Sequence, residues 1–460
     1  MKRIGILLAC IFCCFYVAAQ PKKKKSKTSA TMEQAKFRKA PWIHATDVYE
    51  VNVRQYTKEG TFNAFLPALP RLKKMGVSTL WFMPVTPIAQ KNKKGTMGSP
   101  YACSDYTSVN PEFGTLADFR NLVKTAHGMG FKVIIDWVAN HTGWDHVWTK
   151  THPEYYEHDT ATNDFKIASG MDDIIELDFR NRSMRRAMID AMKFWVTECD
   201  IDGFRCDLAF WVELDFWLEA RAELQKTKTL FWLAESDPID HPEYYRAFDA
   251  CYTWTWMHRS KDFYQQQWQP DSLKDVLHRY DKAGDGESIK LWFTTNHDEN
   301  SWNGTEYEKY GDAAAALAVH SFTWNGIPLV YSGQELPNRK RLQFFEKDPI
   351  DWSGPCTLND FYAPLYALRK SNPALRAGDP AVRTYWVNSS ENQRLVAYLR
   401  RNGNREVLVL LNMSATELRA NLHEREVSGT YRDVFSGEQV NLPEGITVSL
   451  PAWGYRVLEK

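Results

Sequence analysis

The chain has 460 residues, and its 57 Lys plus Arg balance 57 Asp plus Glu to a formal charge of zero. Residues 1–40 hold ten basic side chains and one acid, Glu33, so the remainder is acidic, which argues against nucleic acid or an anionic membrane surface as the main partner. With 44% hydrophobic and 25% charged residues the composition excludes a wholly disordered or fibrous chain, and 18 Trp, 21 Tyr and 24 Phe point to a large core or to surfaces that stack flat ligands.

At the N-terminus, Lys2 and Arg3 precede an apolar run from Ile4 to Ala19, and Val17-Ala18-Ala19 before Gln20 has the small-residue form of a signal-peptidase site. Residues 1–19 are therefore expected to be a cleaved export signal, giving a periplasmic or extracellular protein. A lipoprotein anchor at Leu7-Leu8-Ala9-Cys10 is the alternative. Residues 20–40, with Lys22 to Lys25 and Lys27, read as a basic linker, because adjacent like charges resist compaction. No later segment approaches about 18 uninterrupted apolar residues, so no transmembrane helix is expected. Outside the signal stand Cys103, Cys199, Cys206, Cys251 and Cys356, an odd number with no CxxC spacing, which points to neither a disulfide framework nor a structural zinc site.

From residue 41 onward, short β-branched or aromatic runs alternate with helical stretches. The predicted strands are Val48–Val53, Thr79–Met83, Lys132–Val138, Gly203–Asp207, Phe231–Glu235, Ala250–Trp254, Leu291–Thr295 and Leu329–Tyr331. Between them, Leu116–Met129, Arg185–Glu198 and Phe216–Gln225 have amphipathic helical spacing. Eight such strands predict an α/β fold, a (β/α)8 TIM barrel over residues 41–376. The aromatic stretch from about 141 to 181 is too long for an ordinary loop and reads as a small insertion after strand 3. Beyond residue 377, Val396–Arg400, Glu406–Leu411, Thr430–Phe435 and Thr447–Leu450 predict a C-terminal antiparallel β-sandwich domain over 377–460.

Polar residues gather at the strand ends, where barrel enzymes place their chemistry. Strand 3 ends in Asp136-Trp137-Val138-Ala139-Asn140-His141, strand 4 in Arg205-Cys206-Asp207, strand 5 in Glu235 and strand 7 in Asn296-His297-Asp298. Converging carboxylates with one Arg and two His serve either a divalent metal or glycoside hydrolysis, in which one carboxylate attacks and another donates a proton. Arg205 and Asp207 are two apart and share a strand face, so the guanidinium is expected to lower the Asp207 pKa, as a nucleophile requires. The apolar lead-in Phe231-Trp232-Leu233-Ala234 favours a protonated Glu235, suited to general acid work. Asp136 reads as a brace for Arg205 rather than as a reacting group. Cys103 and Cys206 adjoin these residues but read as small buried hydrophobes. No glycine pattern matches a phosphate-binding fingerprint.

These segments resemble the signature regions of the α-amylase superfamily, glycoside hydrolase family 13. Gly76-Val77-Ser78-Thr79-Leu80-Trp81-Phe82-Met83-Pro84 and Gly326-Ile327-Pro328-Leu329-Val330-Tyr331-Ser332-Gly333-Gln334-Glu335 resemble its second and eighth strands. The resemblance implies Asp207 as nucleophile, Glu235 as acid/base and Asp298 as a third carboxylate gripping sugar hydroxyls. It implies substrate binding by Arg205, His141, His297 and Tyr101, the last as a stacking floor. The implied activity is retaining hydrolysis of α-1,4-glucosidic bonds in starch or maltooligosaccharides by double displacement, as an endo-acting α-amylase. An α-glucosidase, a neopullulanase-like enzyme and a glucanotransferase are the alternatives within the fold, and a non-catalytic glycan-binding protein is the alternative outside it. No organic cofactor is implied. For the family's calcium ion only Asn140 remains in place, with Glu176 or Asp178 nearby, and the usual Lys-His pair beyond the nucleophile is Phe210-Trp211. Those two aromatics imply a more apolar, stacking acceptor side.

Overall fold

Eight short strands, each almost wholly buried, close into a parallel barrel. They are β1 (Val48–Val51), β2 (Thr79–Phe82), β3 (Lys132–Trp137), β4 (Gly203–Cys206), β5 (Phe231–Ala234), β6 (Ala250–Tyr252), β7 (Ile289–Trp292) and β8 (Ile327–Tyr331). The structure, a computed structural model, describes residues 37–460. The export signal and most of the basic linker expected from the sequence lie outside the described residues. Each strand pairs with its neighbours in chain order, and β8 returns to β1 to close the sheet. The seventh strand begins two residues before the predicted Leu291, because Ile289 is already in register with Ala250 of β6.

Side chains alternate across each strand, and that parity decides what faces the barrel axis. Val48, Trp81, Ile134, Leu233, Leu291 and Leu329 form a closed apolar cluster inside the barrel. Tyr49, Leu80, Val133, Phe204, Trp232 and Val330 belong to the larger cluster shared with the surrounding helices. Glu50 lies two residues past Val48, Asp136 two past Ile134 and Glu235 two past Leu233, so all three inherit the inward side. Arg205 is in register with Asp136 on one neighbour and Leu233 on the other, and Asp207 follows it by two. At Gly203 a Cβ would overlap the carbonyl oxygen of Phe231, so this strand contact requires glycine.

The flanking helices follow local rules. Leu116–Gly128 opens with a reciprocal capping box: the Thr115 hydroxyl accepts from the Asp118 amide, and the Asp118 carboxylate accepts from the Thr115 amide. Its buried residues Phe119, Leu122, Val123 and Ala126 recur at the three- and four-residue steps of one helix face. The other two predicted helices extend over Arg182–Cys199 and Leu214–Leu224. Within the insertion, His141–Gly143 pairs antiparallel with Ile174–Glu176.

After helix Asn359–Ser371, six antiparallel strands form one sheet, the first of them Arg383–Trp386, and a second two-stranded sheet joins Leu418–Asn421 to Thr447–Leu450. Leu399, Leu408 and Leu410 meet Leu418, Ala420 and Leu450 between the two sheets. The opposite parity of the large sheet, with Val396, Tyr398, Val407 and Val409, packs into the barrel's outer core. Tyr398 shares a hydroxyl–hydroxyl bond of 2.6 Å with Thr323, and Trp324 packs on Trp386 with ring centroids 5.1 Å apart.

Candidate active site

The inward acids meet at one guanidinium. Arg205 is fully buried, and its Nη1 donates at 2.9 Å to Asp136 Oδ1 and at 2.9 Å to Asp207 Oδ1. Its Nη2 lies 2.8 Å from Glu235 Oε2 as an ion pair but lacks the alignment of a hydrogen bond. Nε donates to the Tyr252 hydroxyl at 3.3 Å. The rings of Trp81, Tyr252 and Tyr101 surround the cation, with centroids 4.9, 5.5 and 5.8 Å from its central carbon. Arg205 is therefore held on all sides, and the carboxylates are held by it.

Glu235 Oε2 also accepts from the Leu208 amide at 2.9 Å. Leu208 reaches that position with φ 38°, a left-handed conformation costing a branched residue about 1–3 kcal/mol, directly after Asp207. The strained turn thus couples the β4 acid to the β5 acid.

Burial dominates the proton affinities. It pushes Glu235 up to about 7 and Asp207 up to about 6, with Arg205 opposing in both cases. Asp136 is likewise pushed to about 6 by burial. The lowered Asp207 pKa expected from its Arg neighbour does not result. Water is excluded from the whole cluster, and one guanidinium shared among three acids does not offset that loss. Both carboxyls are thus raised toward neutrality by a loss of hydration that the shared guanidinium offsets only in part.

The second half of the site comes from β1, β7 and the loop after β2. The Tyr101 hydroxyl donates to Asp136 Oδ2 at 3.0 Å and meets His297 Nε2 at 2.7 Å, and the two rings stack at 5.3 Å and 15°. His297 Nε2 is 3.3 Å from Asp298 Oδ2, and its Nδ1 bonds the fully buried Glu50 carboxylate. Burial disfavours the imidazolium, but Asp298 and Glu50 outweigh it and push His297 up to about 9. His141 is the opposite case: burial pushes it down to about 4, and its Nε2 is enclosed without a protein partner. Asp298, with a side chain 35% exposed, is the most open carboxylate of the group.

The structure thus brings together Tyr101, Asp136, Arg205, Asp207, Glu235, His297 and Asp298, with His141 buried just beyond β3. It adds Glu50, Tyr252 and Trp81. Glu50 obeys the same rule as the other acids, a charge inside the apolar strand Val48-Tyr49-Glu50-Val51, so its signal was present in the sequence. Phe210 stacks on His241 at 4.9 Å and 16°, and Trp211 stands edge-on to it at 6.1 Å, on the β4–β5 side of the barrel mouth.

The acids near Asn140 are engaged with cations of the protein itself. Glu176 pairs with Lys166 at 2.6 Å, Asp178 binds Arg180 at 2.7 and 3.0 Å, and the Asn140 amide turns toward His141 Nδ1 at 3.4 Å. Among the described residues no three Asp, Glu, His or Cys side chains group as metal ligands.

The catalytic-domain family described as Alpha amylase, catalytic domain matches residues 26–169 and 153–392, and Maltogenic Amylase, C-terminal domain matches 387–457. Alpha-amylase 2 of Dictyoglomus thermophilum is 26% identical over 419 residues, covering 85% of this chain and 70% of that protein. Among solved structures, an alpha-amylase from Lactobacillus plantarum is similar at 30% identity and TM-score 0.81, covering 91% of this chain and 99% of the other. A noncanonic maltogenic alpha-amylase, AmyB from Thermotoga neapolitana, has 29% identity and TM-score 0.81, with 90% and 98% covered. The family match spans well over half of the chain and coincides with the barrel that carries the acid cluster, so the chain belongs to the α-amylase family of glycoside hydrolases.

Proposed function

We propose that this protein hydrolyses α-1,4-glucosidic bonds of starch or maltooligosaccharides by double displacement, acting within the chain. Asp207 attacks the anomeric carbon while Glu235 gives its proton to the leaving oxygen. Glu235 then takes a proton from water, which releases the sugar from Asp207 with its anomeric configuration retained. Asp298, His141 and His297 hold hydroxyls of the sugar lying on Tyr101, and Asp136 holds Arg205 without touching substrate.

The observation that carries this reading is the single guanidinium touching both reacting carboxyls, at 2.9 and 2.8 Å. Carboxyls that share one guanidinium are neighbours, which supports the close approach that a retaining pair needs. Burial also raises Glu235 to about 7, a value suited to a general acid.

Glu235→Gln tests the assignment. Release of reducing ends from maltoheptaose is expected to fall at least about a thousandfold while the variant remains folded by circular dichroism. Wild-type turnover by the variant would sink it. Two similar proteins are named maltogenic, one from Bacillus acidopullulyticus and AmyB of Thermotoga neapolitana, and release of maltose from chain ends is the second reading. Early products of amylose separate the two: mid-chain fragments mark endo action, and maltose alone marks exo action.

A further inference from the structure

Beyond Asp298 the chain makes a π-helical turn, Glu299–Asn303, a backbone form that concentrates at functional positions. The turn carries Trp302, which is 52% exposed. A single exposed aromatic needs no explanation. Trp302, however, lies with its ring centroid 5.3 Å from Phe344 and 5.6 Å from Phe345. Phe344 stacks in turn on Tyr101 at 6.1 Å and 18°. Tyr101, Phe344 and Trp302 therefore form one run of touching rings, half-buried at Tyr101 and Phe344 and exposed at Trp302.

The strip is fixed in place. The Asn300 side chain accepts from the Leu342 amide at 2.8 Å and donates to the Lys340 carbonyl at 3.1 Å, tying the loop after β7 to the loop after β8. Buried Arg54 donates to the Phe344 carbonyl at 3.3 Å, and buried Gln55 donates to the carbonyls of Gln343 and Glu346 at 3.0 and 2.7 Å. Met97 adds a backbone bond to Phe345 at 3.0 Å. Side chains aimed from a scaffold so pinned bind without paying much ordering entropy.

Its direction follows from the barrel order. The leaving group must lie toward the proton donor, Glu235 on β5, beside Phe210 on the turn after β4. The strip leaves Tyr101 toward the loops after β7 and β8, on the other side of the barrel mouth. It therefore underlies the non-leaving side of a bound glucan.

We propose that Trp302 and Phe344 form a sugar-binding platform for the glucosyl units that precede the one over Tyr101, and so set a preference for longer chains on that side. The apolar faces of successive pyranose rings would lie on successive aromatic faces. The proposal rests on Asp207 and Glu235 being the hydrolytic pair.

The test compares 4-nitrophenyl α-maltotrioside, which reaches the platform, with 4-nitrophenyl α-glucoside, which does not. Trp302→Ala is expected to lower the ratio of their kcat/KM values about tenfold, the size of one lost aromatic contact, and Trp302→Phe to restore most of it. An unchanged ratio overturns the platform while leaving hydrolysis by Asp207 and Glu235 in place. Calorimetric binding of maltotetraose to Glu235→Gln, with and without Trp302→Ala, reads the platform without turnover. A Kd at least tenfold weaker in the double variant supports it, and equal Kd values overturn it. Weakened binding in a chain whose wild type hydrolyses neither these glycosides nor maltoheptaose would keep the platform and overturn the hydrolytic reading instead.

Discussion

At Asp207 and Glu235 burial raises both proton affinities above the usual carboxylate range. With Asp207 pushed by burial to about 6 and Glu235 to about 7, kcat/KM is expected to follow a bell whose two limbs, belonging to the pair, lie near neutrality. A plateau extending from pH 4 to 9 on maltooligosaccharides would contradict the raised affinities. Both folded values exceed those of an unfolded chain, so these groups favour the fold fully below about pH 4, and the contribution is lost as pH rises through 6 to 7. Glu235→Gln should accordingly raise the thermal midpoint at pH 8 by about 2–4 °C and lose that gain near pH 4. His297 has the same sign from the opposite charge type. Its imidazolium, raised to about 9, stabilises the fold fully below about 6.5, and that contribution is lost as pH rises through 9. Glu50→Gln removes one of the two carboxylates responsible. Imidazole titration by NMR should show a lower His297 pKa, and kcat/KM at pH 7 should fall about tenfold or more. An unmoved titration would assign the raised value to Asp298 alone.

Strands, helices and turns were legible to different depths. All eight barrel strands appear within two or three residues of the predicted bounds, because an apolar run of fixed length with period two has one way to lie in a covered parallel sheet. The C-terminal strands Arg383–Trp386, Leu418–Asn421, Gln439–Leu442 and Tyr455–Glu459 escaped the sequence reading. Each is short or bears charges on one face, and pairing across the sheet, not local preference, makes it a strand. The contact between β4 and β5 is the sharpest local constraint near the acids, and Gly203→Ala should destabilise the protein by about 1–3 kcal/mol in chemical unfolding. Unchanged stability would mean that the two strands separate easily, and that Arg205 and Glu235 are not rigidly aligned by the sheet.

The two large units of the described chain share one core. Val396, Tyr398, Val407 and Val409 of the C-terminal sheet sit in the same apolar cluster as the barrel's outer helices, and Asn372, just past the last barrel helix, donates to Glu459 of the final strand at 3.1 Å. With so much apolar surface in common, neither unit keeps its buried face when the other unfolds. Calorimetry of the intact protein is expected to show one cooperative transition, and two resolved transitions would show that the shared core contributes little.

Strand order, inward parity and the placing of Asp136, Arg205, Asp207 and Glu235 at strand ends follow from local pattern, since period two and strand length belong to short segments. So does the chemistry those residue types permit. Packing alone decided that one arginine would serve three acids and that burial would override it. Packing likewise paired Glu50 with His297 and joined Phe344 and Trp302 to Tyr101. These are contacts between residues as much as 247 positions apart, governed by desolvation and geometry that no stretch of sequence contains.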